Sequence, residues 1–207
     1  MYRVDRNNFF EKNKNATVYT PDFVSNFIYE ILKNSIDKNK VIFDPCVGKG
    51  SLLNPWIKNN YKSYGVDIIN TDFKNVLIKN YLDVEKNDLP KNIGLVIMNP
   101  PFNLDHEIKS TISKKYGRKP LLPEVWLMKT LELFDKNIPI VLFTPYGLRL
   151  NLTMTSKRWI KFINEYPQIS SIVSLPKNVF EGVLFHSEIL IFNIKNIKPH
   201  YFLGQNK

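Results

Sequence analysis

Apolar positions along this chain fall into short runs of two kinds, and their alternation predicts the elements. In residues 21–36, "PDFVSNFIYEILKNSI", Phe23, Phe27, Ile28, Ile31 and Leu32 recur at helical spacing behind Pro21, which predicts a helix with one buried face. "KVIFDP" then reads as a short buried strand, "CVGKG" as a turn, and Ser51 to Asn59 as a helix. "YKSYGVDI" is a second strand, "NVLIKNYL" a weaker third and "IGLVIM" a fourth. An amphipathic helix follows in "PEVWLMKTLELFDK", a strand in "IPIVLFTP" and a helix in "SKRWIKFINEY". "ISSIVSLP" and "SEILIFNI" complete the set as two further strands. Strands alternating with helices predict an α/β sandwich around a mainly parallel sheet. A single domain is expected over residues 1–207, with 1–36 as an N-terminal segment and helix and 37–207 as the α/β core.

In such sheets ligands sit beyond the carboxyl ends of the strands. Three polar motifs fall there: Asp44 to Gly50, Asp67, and Asn99 to Phe102. In "FDPCVGKGSLL", Asp44 ends a strand, while Gly48 and Gly50 allow a turn that brings backbone N–H groups near a ligand. The same residues also suit a plain strand-to-helix turn capped by an aspartate. A phosphate loop is not indicated, because Lys49 lies between the glycines and no Gly-Lys-Ser/Thr follows at the required spacing. Asp67 ends the next strand, where an acidic side chain accepts hydrogen bonds from ribose hydroxyls in nucleoside-binding folds. An acidic residue there can equally be a turn former; the preceding glycine turn favours the ribose reading.

"VIMNPPFN" closes the fourth strand. Pro100 and Pro101 hold their own φ and push the preceding residues towards extended geometry. The Asn99 carboxamide oxygen and the Pro100 carbonyl then offer two acceptors for the two hydrogens of an exocyclic amine, and Phe102 offers a ring to stack on the base that bears it. A neutral amide remains an acceptor across ordinary pH. Such a site works by positioning and electrostatics rather than by proton abstraction. The plainer alternative is an Asn-Pro turn with Phe102 in the core.

Charge adds a partner. Lys and Arg number 29 against 19 Asp and Glu, a net +10 with a pI near 9.5, which suits a polyanion. A Lys/Asn/Ile-rich composition alone gives the same sign. Hydrophobic residues make up 43% and charged residues 23%, an ordinary globular balance, and no apolar run approaches the roughly 18 residues of a membrane span. The segment "MYRVDRNNFFEKNKN" lacks the apolar centre of a signal peptide. With Cys46 the single cysteine and three scattered histidines, neither an internal disulfide nor a metal cluster is expected. A cytoplasmic, metal-free protein without membrane attachment is the expectation.

At these residues the chain resembles S-adenosylmethionine-dependent amino methyltransferases. Among them it is most similar to N6-adenine DNA methyltransferases of the gamma arrangement, especially the catalytic domain of type I restriction-modification system modification subunits. The likeness covers nearly the whole chain. "VYTPDFV", with Thr20 and Pro21, resembles the motif that precedes the glycine turn. "DPCVGKGSLL" resembles the Asp-Pro-x-x-Gly-x-Gly signature, "NPPF" the catalytic motif, and "IVSLPKNVFEGVLFHSEILIFN" the closing pattern. The resemblance implies a Rossmann-like class I methyltransferase fold with a mainly parallel seven-stranded sheet. It implies S-adenosyl-L-methionine as cofactor, held by Thr20, Pro21, Asp44, Pro45, Gly48 and Gly50, with Asp67 on its ribose. Asn99, Pro100, Pro101 and Phe102 take the catalytic places; Phe180 matches an aromatic that supports the flipped base, Phe185 being the runner-up. One departure stands out: Asn80 occurs in "KNYLDV" where the family usually carries an acidic residue, and Asp83 is the alternative contact to the cofactor adenine.

A target adenine inside a duplex must be flipped out to reach such a pocket. Lys114, Lys115, Arg118 and Lys119, together with Arg149, Lys157 and Arg158, are candidate phosphate contacts, although charge runs are commonly solvated faces. No separate target-recognition domain is expected after the last strand, so the chain is expected either to discriminate little among sequences alone or to borrow discrimination from a partner specificity subunit, in a restriction-modification system or as a stand-alone phage-type enzyme. Two other readings share these residues: methylation of an RNA base or a protein glutamine amide, and an inactive methyltransferase-fold protein that binds nucleic acid or a complex.

Overall fold

The computed structural model describes residues 19–102, Ile112, Lys114, and the ranges 121–150, 158–180 and 186–204. Its first element is helix α1 (Asp22–Leu32), capped by Pro21, whose extended backbone (φ −61°, ψ 146°) turns its carbonyl towards the N–H groups of Val24 and Ser25. Proline suits this start because it lacks the N–H that a helix beginning leaves unpaired. The buried stripe is Val24, Ile28 and Leu32, one row at i, i+4 and i+8. Phe23, Phe27 and Ile31, expected on the same face as Ile28 and Leu32, flank the row as half-buried residues against the same core. The smaller row lies closest to the sheet, and the bulkier side chains close the rim. The helix also ends earlier than expected. Lys33 N–H bonds to Tyr29, and the following Asn34–Ser35 pair, weak helix formers, turns away before Ile36 is buried.

Among the described residues one sheet is built from β1 (Val41–Asp44), β2 (Lys62–Asp67), β3 (Val76–Ile78), β4 (Ile93–Met98), β5 (Ile140–Pro145), β6 (Ile169–Ser174), β7 (Ser187–Phe192) and β8 (His200–Phe202). Their spatial order is β3-β2-β1-β4-β5-β7-β6-β8. Strands β1 to β5 run parallel to one another, and β7 runs antiparallel to both β5 and β6. The expected mainly parallel sheet is therefore present, with eight strands where seven were expected. β8 pairs in parallel with β6 at the edge. Its three residues are exposed or half-exposed, so no apolar run marked it.

Helices cover both faces. α1 and α2 (Asn54–Lys58) pack on one, with Ile28, Leu32, Trp56, Ile97 and Phe143 in its core. α3 (Leu122–Leu133) packs on the other with Phe43, Val96, Met98 and Trp126. Two shorter helices, α4 (Gly147–Leu150) and α5 (Arg158–Asn164), follow β5. Because both faces are covered, β1 and β7 are buried along their whole length, which is why they read as continuous apolar runs. α2 is shorter than the expected helix from Ser51: the Gly50 carbonyl takes the N–H groups of both Leu53 and Asn54, so a turn precedes it. Among the described residues no helix is long and apolar enough to cross a membrane.

Candidate active site

The order β2-β1-β4 places the carboxyl ends of three parallel strands side by side. The chain leaves β1 for β2 on one side, while β4 lies on the other, so the crevice where connections diverge opens above β1 and β4. Asp44 ends β1, Asp67 ends β2, and Asn99 directly follows β4. The three motifs singled out in the sequence thus meet at one edge.

The glycine turn is positioned by β2. Gly48 and Gly50 have φ of +49° and +80°, values at which a side chain is strained. Val47 N–H bonds to the Val66 carbonyl at 3.0 Å, and Gly48 N–H donates to Asp67 Oδ2 at 2.8 Å. Gly65 makes this docking possible, since a Cβ there would lie 2.7 Å from Val47. Asp67 Oδ1 also accepts from Ile69 N–H at 3.2 Å. Each carboxylate oxygen has about two lone-pair directions, so both retain room for a ligand hydroxyl.

Asp44 is 1% exposed, and its Oδ1 accepts from Cys46 N–H at 2.9 Å. Burial is the main influence on its carboxyl, which is raised to about 7; hydrogen bonds from the Cys46 backbone and thiol oppose the rise, and Asp67 adds to it. A cationic group arriving beside Asp44 would restore its charge. The Cys46 thiol itself is pushed up, first by burial and then by the Asp44 charge, and the backbone of Asn99 opposes the rise. Cys46 therefore lies between the Asp44 carboxyl and the backbone of Asn99.

Asn99 is half-buried, and its Nδ2 donates to Thr20 Oγ1 at 3.1 Å. Thr20 is 6% exposed at the entry to α1. This bond engages Nδ2 and leaves Oδ1 to act as an acceptor. Pro100 is buried, Pro101 exposed, and Phe102 half-buried against the core beneath α1. Pro45 and Gly50 are buried in the turn, and Pro21 is half-buried at the helix start. Tyr19, unremarked in the sequence, lies over the glycine turn: a Cβ on Gly48 would sit 3.4 Å from its ring, and Lys49 Nζ lies 4.7 Å from the ring centre. Its place next to Thr20 in "VYTPDFV" is the signal that could have found it.

Other expected residues lie elsewhere or are otherwise engaged. Asn80 is exposed after β3, and its Oδ1 caps Leu82 N–H at 3.1 Å; Asp83 is also exposed. Phe180 is 2% exposed and belongs to the core cluster that α1 packs on. Lys114 is exposed. Arg149 Nε and Nη2 bond to Glu188 at 3.1 and 2.9 Å, so its guanidinium serves an ion pair with a carboxylate that is 1% exposed. Lys115, Arg118, Lys119, Lys157 and Phe185 lie outside the described residues, as does the Arg158 side chain. A cavity of about 710 Å³ borders Lys49 and Phe73, but Thr20, Asp44, Asp67 and Asn99 are not among its lining residues.

Comparisons with known proteins bear on this arrangement. Residues 6–66 match the model of the N-6 DNA Methylase family, a stretch that includes Thr20–Pro21 and the glycine turn and stops before Asn99. No curated protein sequence matches the chain. Among solved structures, it is similar to a protein described as a modification subunit of a type I restriction enzyme from Vibrio vulnificus YJ016. The identity is 13% and the TM-score 0.69, covering 95% of this chain and 49% of that one. A type I restriction-modification methyltransferase subunit from Streptococcus thermophilus is similar at 16% identity and TM-score 0.61, over 92% and 49% of the two chains. A Listeria monocytogenes protein, described as a class I S-adenosylmethionine-dependent methyltransferase, matches at 18% identity and TM-score 0.63, over 90% and 66%. The chain spans about half the length of the two modification subunits. The likeness read from the motifs is borne out, and at these identities it is one of fold: that of the class I methyltransferases.

Proposed function

We propose that this chain transfers the methyl group of S-adenosylmethionine to the exocyclic N6 amine of adenine in DNA. The observation that carries the reading is the Asn99 carboxamide, half-exposed at the end of β4, turned by Thr20 and next in the sheet to Asp44 of β1. A strand-end amide braced by Pro100 and Pro101 suits an NH2 group, whose two hydrogens go to Asn99 Oδ1 and the Pro100 carbonyl. Phe102 then stacks on the base. Neither acceptor is a base at neutral pH, so these residues act by fixing the direction of the nitrogen lone pair.

The donor set fits the cofactor chemically. Asp44 would meet its ammonium, Asp67 its ribose hydroxyls, and the Gly48–Gly50 backbone its methionine part, with Tyr19 and Pro21 closing over the turn. When bound, S-adenosylmethionine supplies an electrophilic methyl group on a sulfonium. For an adenine within a duplex, reaching Asn99 means leaving the stack, at a cost of a few kcal/mol. The net charge of +10 supports a phosphate-bearing partner. Sequence discrimination from a separate specificity subunit, in a restriction-modification or phage setting, belongs to the same reading.

The test is transfer of a labelled methyl group to adenine-containing DNA, with RNA and protein as parallel substrates. Label in N6-methyladenine of DNA is the expected result. Label confined to RNA or to protein glutamine would overturn the substrate, and no label on any of them would overturn the enzyme.

A further inference from the structure

Beyond Asn99, the same edge of the sheet carries an aromatic pair with no role so far. Tyr146 follows β5 directly, and His186 directly precedes β7. The register Thr144 opposite Glu188 and Pro145 opposite Ser187 brings them together, and Tyr146 N–H bonds to the His186 carbonyl at 3.4 Å. Their rings stack with centroids 5.6 Å apart and planes 29° from parallel. Tyr146 is half-buried and His186 exposed. The ion pair between Arg149 of α4 and buried Glu188 of β7 pins the backbone on both sides of the pair.

The placement is specific. Met98 lies opposite Leu142, so β5 continues past the level of Asn99, and Tyr146 stands about 10 Å further out along the strand direction at roughly 3.3 Å per residue. It lies on the side of β4 away from β1 and β2, which carry Asp44, the glycine turn and Asp67. Two stacked rings, one exposed, beyond the level of Asn99 match the way unpaired bases are held, on aromatic faces.

We propose that Tyr146 and His186 form a stacking platform for the nucleobase next to the extruded adenine of a DNA strand. This rests on the reading of the chain as an adenine methyltransferase, but its test does not require turnover. A short DNA carrying 2-aminopurine beside the target adenine reports stacking by loss of fluorescence. Wild-type protein should quench the probe. His186→Ala and Tyr146→Leu, the second keeping apolar bulk, should restore emission and weaken DNA binding by about 5- to 150-fold, the range expected for one lost base–aromatic stack. S-adenosylmethionine affinity should stay within twofold in both, which separates lost stacking from lost folding. Quenching by a wild-type protein that transfers no methyl group supports the platform while ending the methyltransferase reading. Methyl transfer with an unquenched probe, or quenching that persists in His186→Ala and Tyr146→Leu, overturns the platform and leaves that reading intact. Binding confined to RNA, or no binding of the DNA, also overturns it.

Discussion

Asp44 and Thr20 show how single residues set the behaviour of the site. Burial raises the Asp44 carboxyl from 3.8 to about 7. Between those values the folded chain holds a proton that the unfolded chain has released, so this residue's contribution is most favourable below pH 3.8 and is lost as pH rises through 7. In Asp44→Asn that dependence should vanish. Urea midpoints at pH 5 and pH 8 should show wild type losing more stability than the variant on going to pH 8; equal losses would contradict the assignment. Thr20 makes a separate prediction. If its hydroxyl orients the Asn99 amide, Thr20→Val should lower kcat about tenfold with cofactor affinity unchanged, and Thr20→Ser should recover most of the rate. A Thr20→Val variant defective only in cofactor binding would assign the residue to the cofactor instead. Asp44, Asp67 and Asn99 were legible in the sequence because each is a polar residue ending an apolar run. The Thr20–Asn99 bond joins residues 79 positions apart, and the nearness of Cys46 to Asn99 depends on β1 lying beside β4. Neither leaves a local trace.

At the scale of elements, α1 illustrates what periodicity conveys. Helical spacing located the helix and its apolar side, with Ile28 and Leu32 on it, but it did not rank the positions: the fully buried row is Val24, Ile28 and Leu32. Ile28→Ala should therefore cost about 3 kcal/mol. Phe27→Ala should cost less than half of that, since Phe27 lies half-buried at the rim, edge-on to Tyr201. Denaturant unfolding of both variants checks the order, and a larger loss at Phe27 would contradict this packing. The link between α4 and β7 is electrostatic. Arg149→Ala leaves Glu188 buried without its guanidinium and should cost about 3 kcal/mol by the same measurement, because an unpaired buried carboxylate is strongly unfavourable. A loss below 0.5 kcal/mol would show that the pair does not anchor this corner. Strands β1 to β7 were visible as apolar runs; β8 was not, because a short edge strand is held by backbone pairing to β6 rather than by buried side chains.

For the whole molecule, the sheet order divides labour along one edge. β1 and β2 carry the carboxylates and the glycine turn, β4 carries the amide, and β5 with β7 carries the aromatic pair. A parallel sheet with both faces covered leaves only its ends for chemistry, which is why fold and site emerged from one pattern of strand endings. On this account Asn99 acts on the amine alone. The decisive measurement is the Asn99→Ala variant, followed by calorimetry with S-adenosylmethionine and by single-turnover methyl transfer to DNA. Cofactor affinity within twofold of wild type, with transfer reduced at least about a thousandfold, is the predicted result. Transfer within tenfold of wild type would contradict the account.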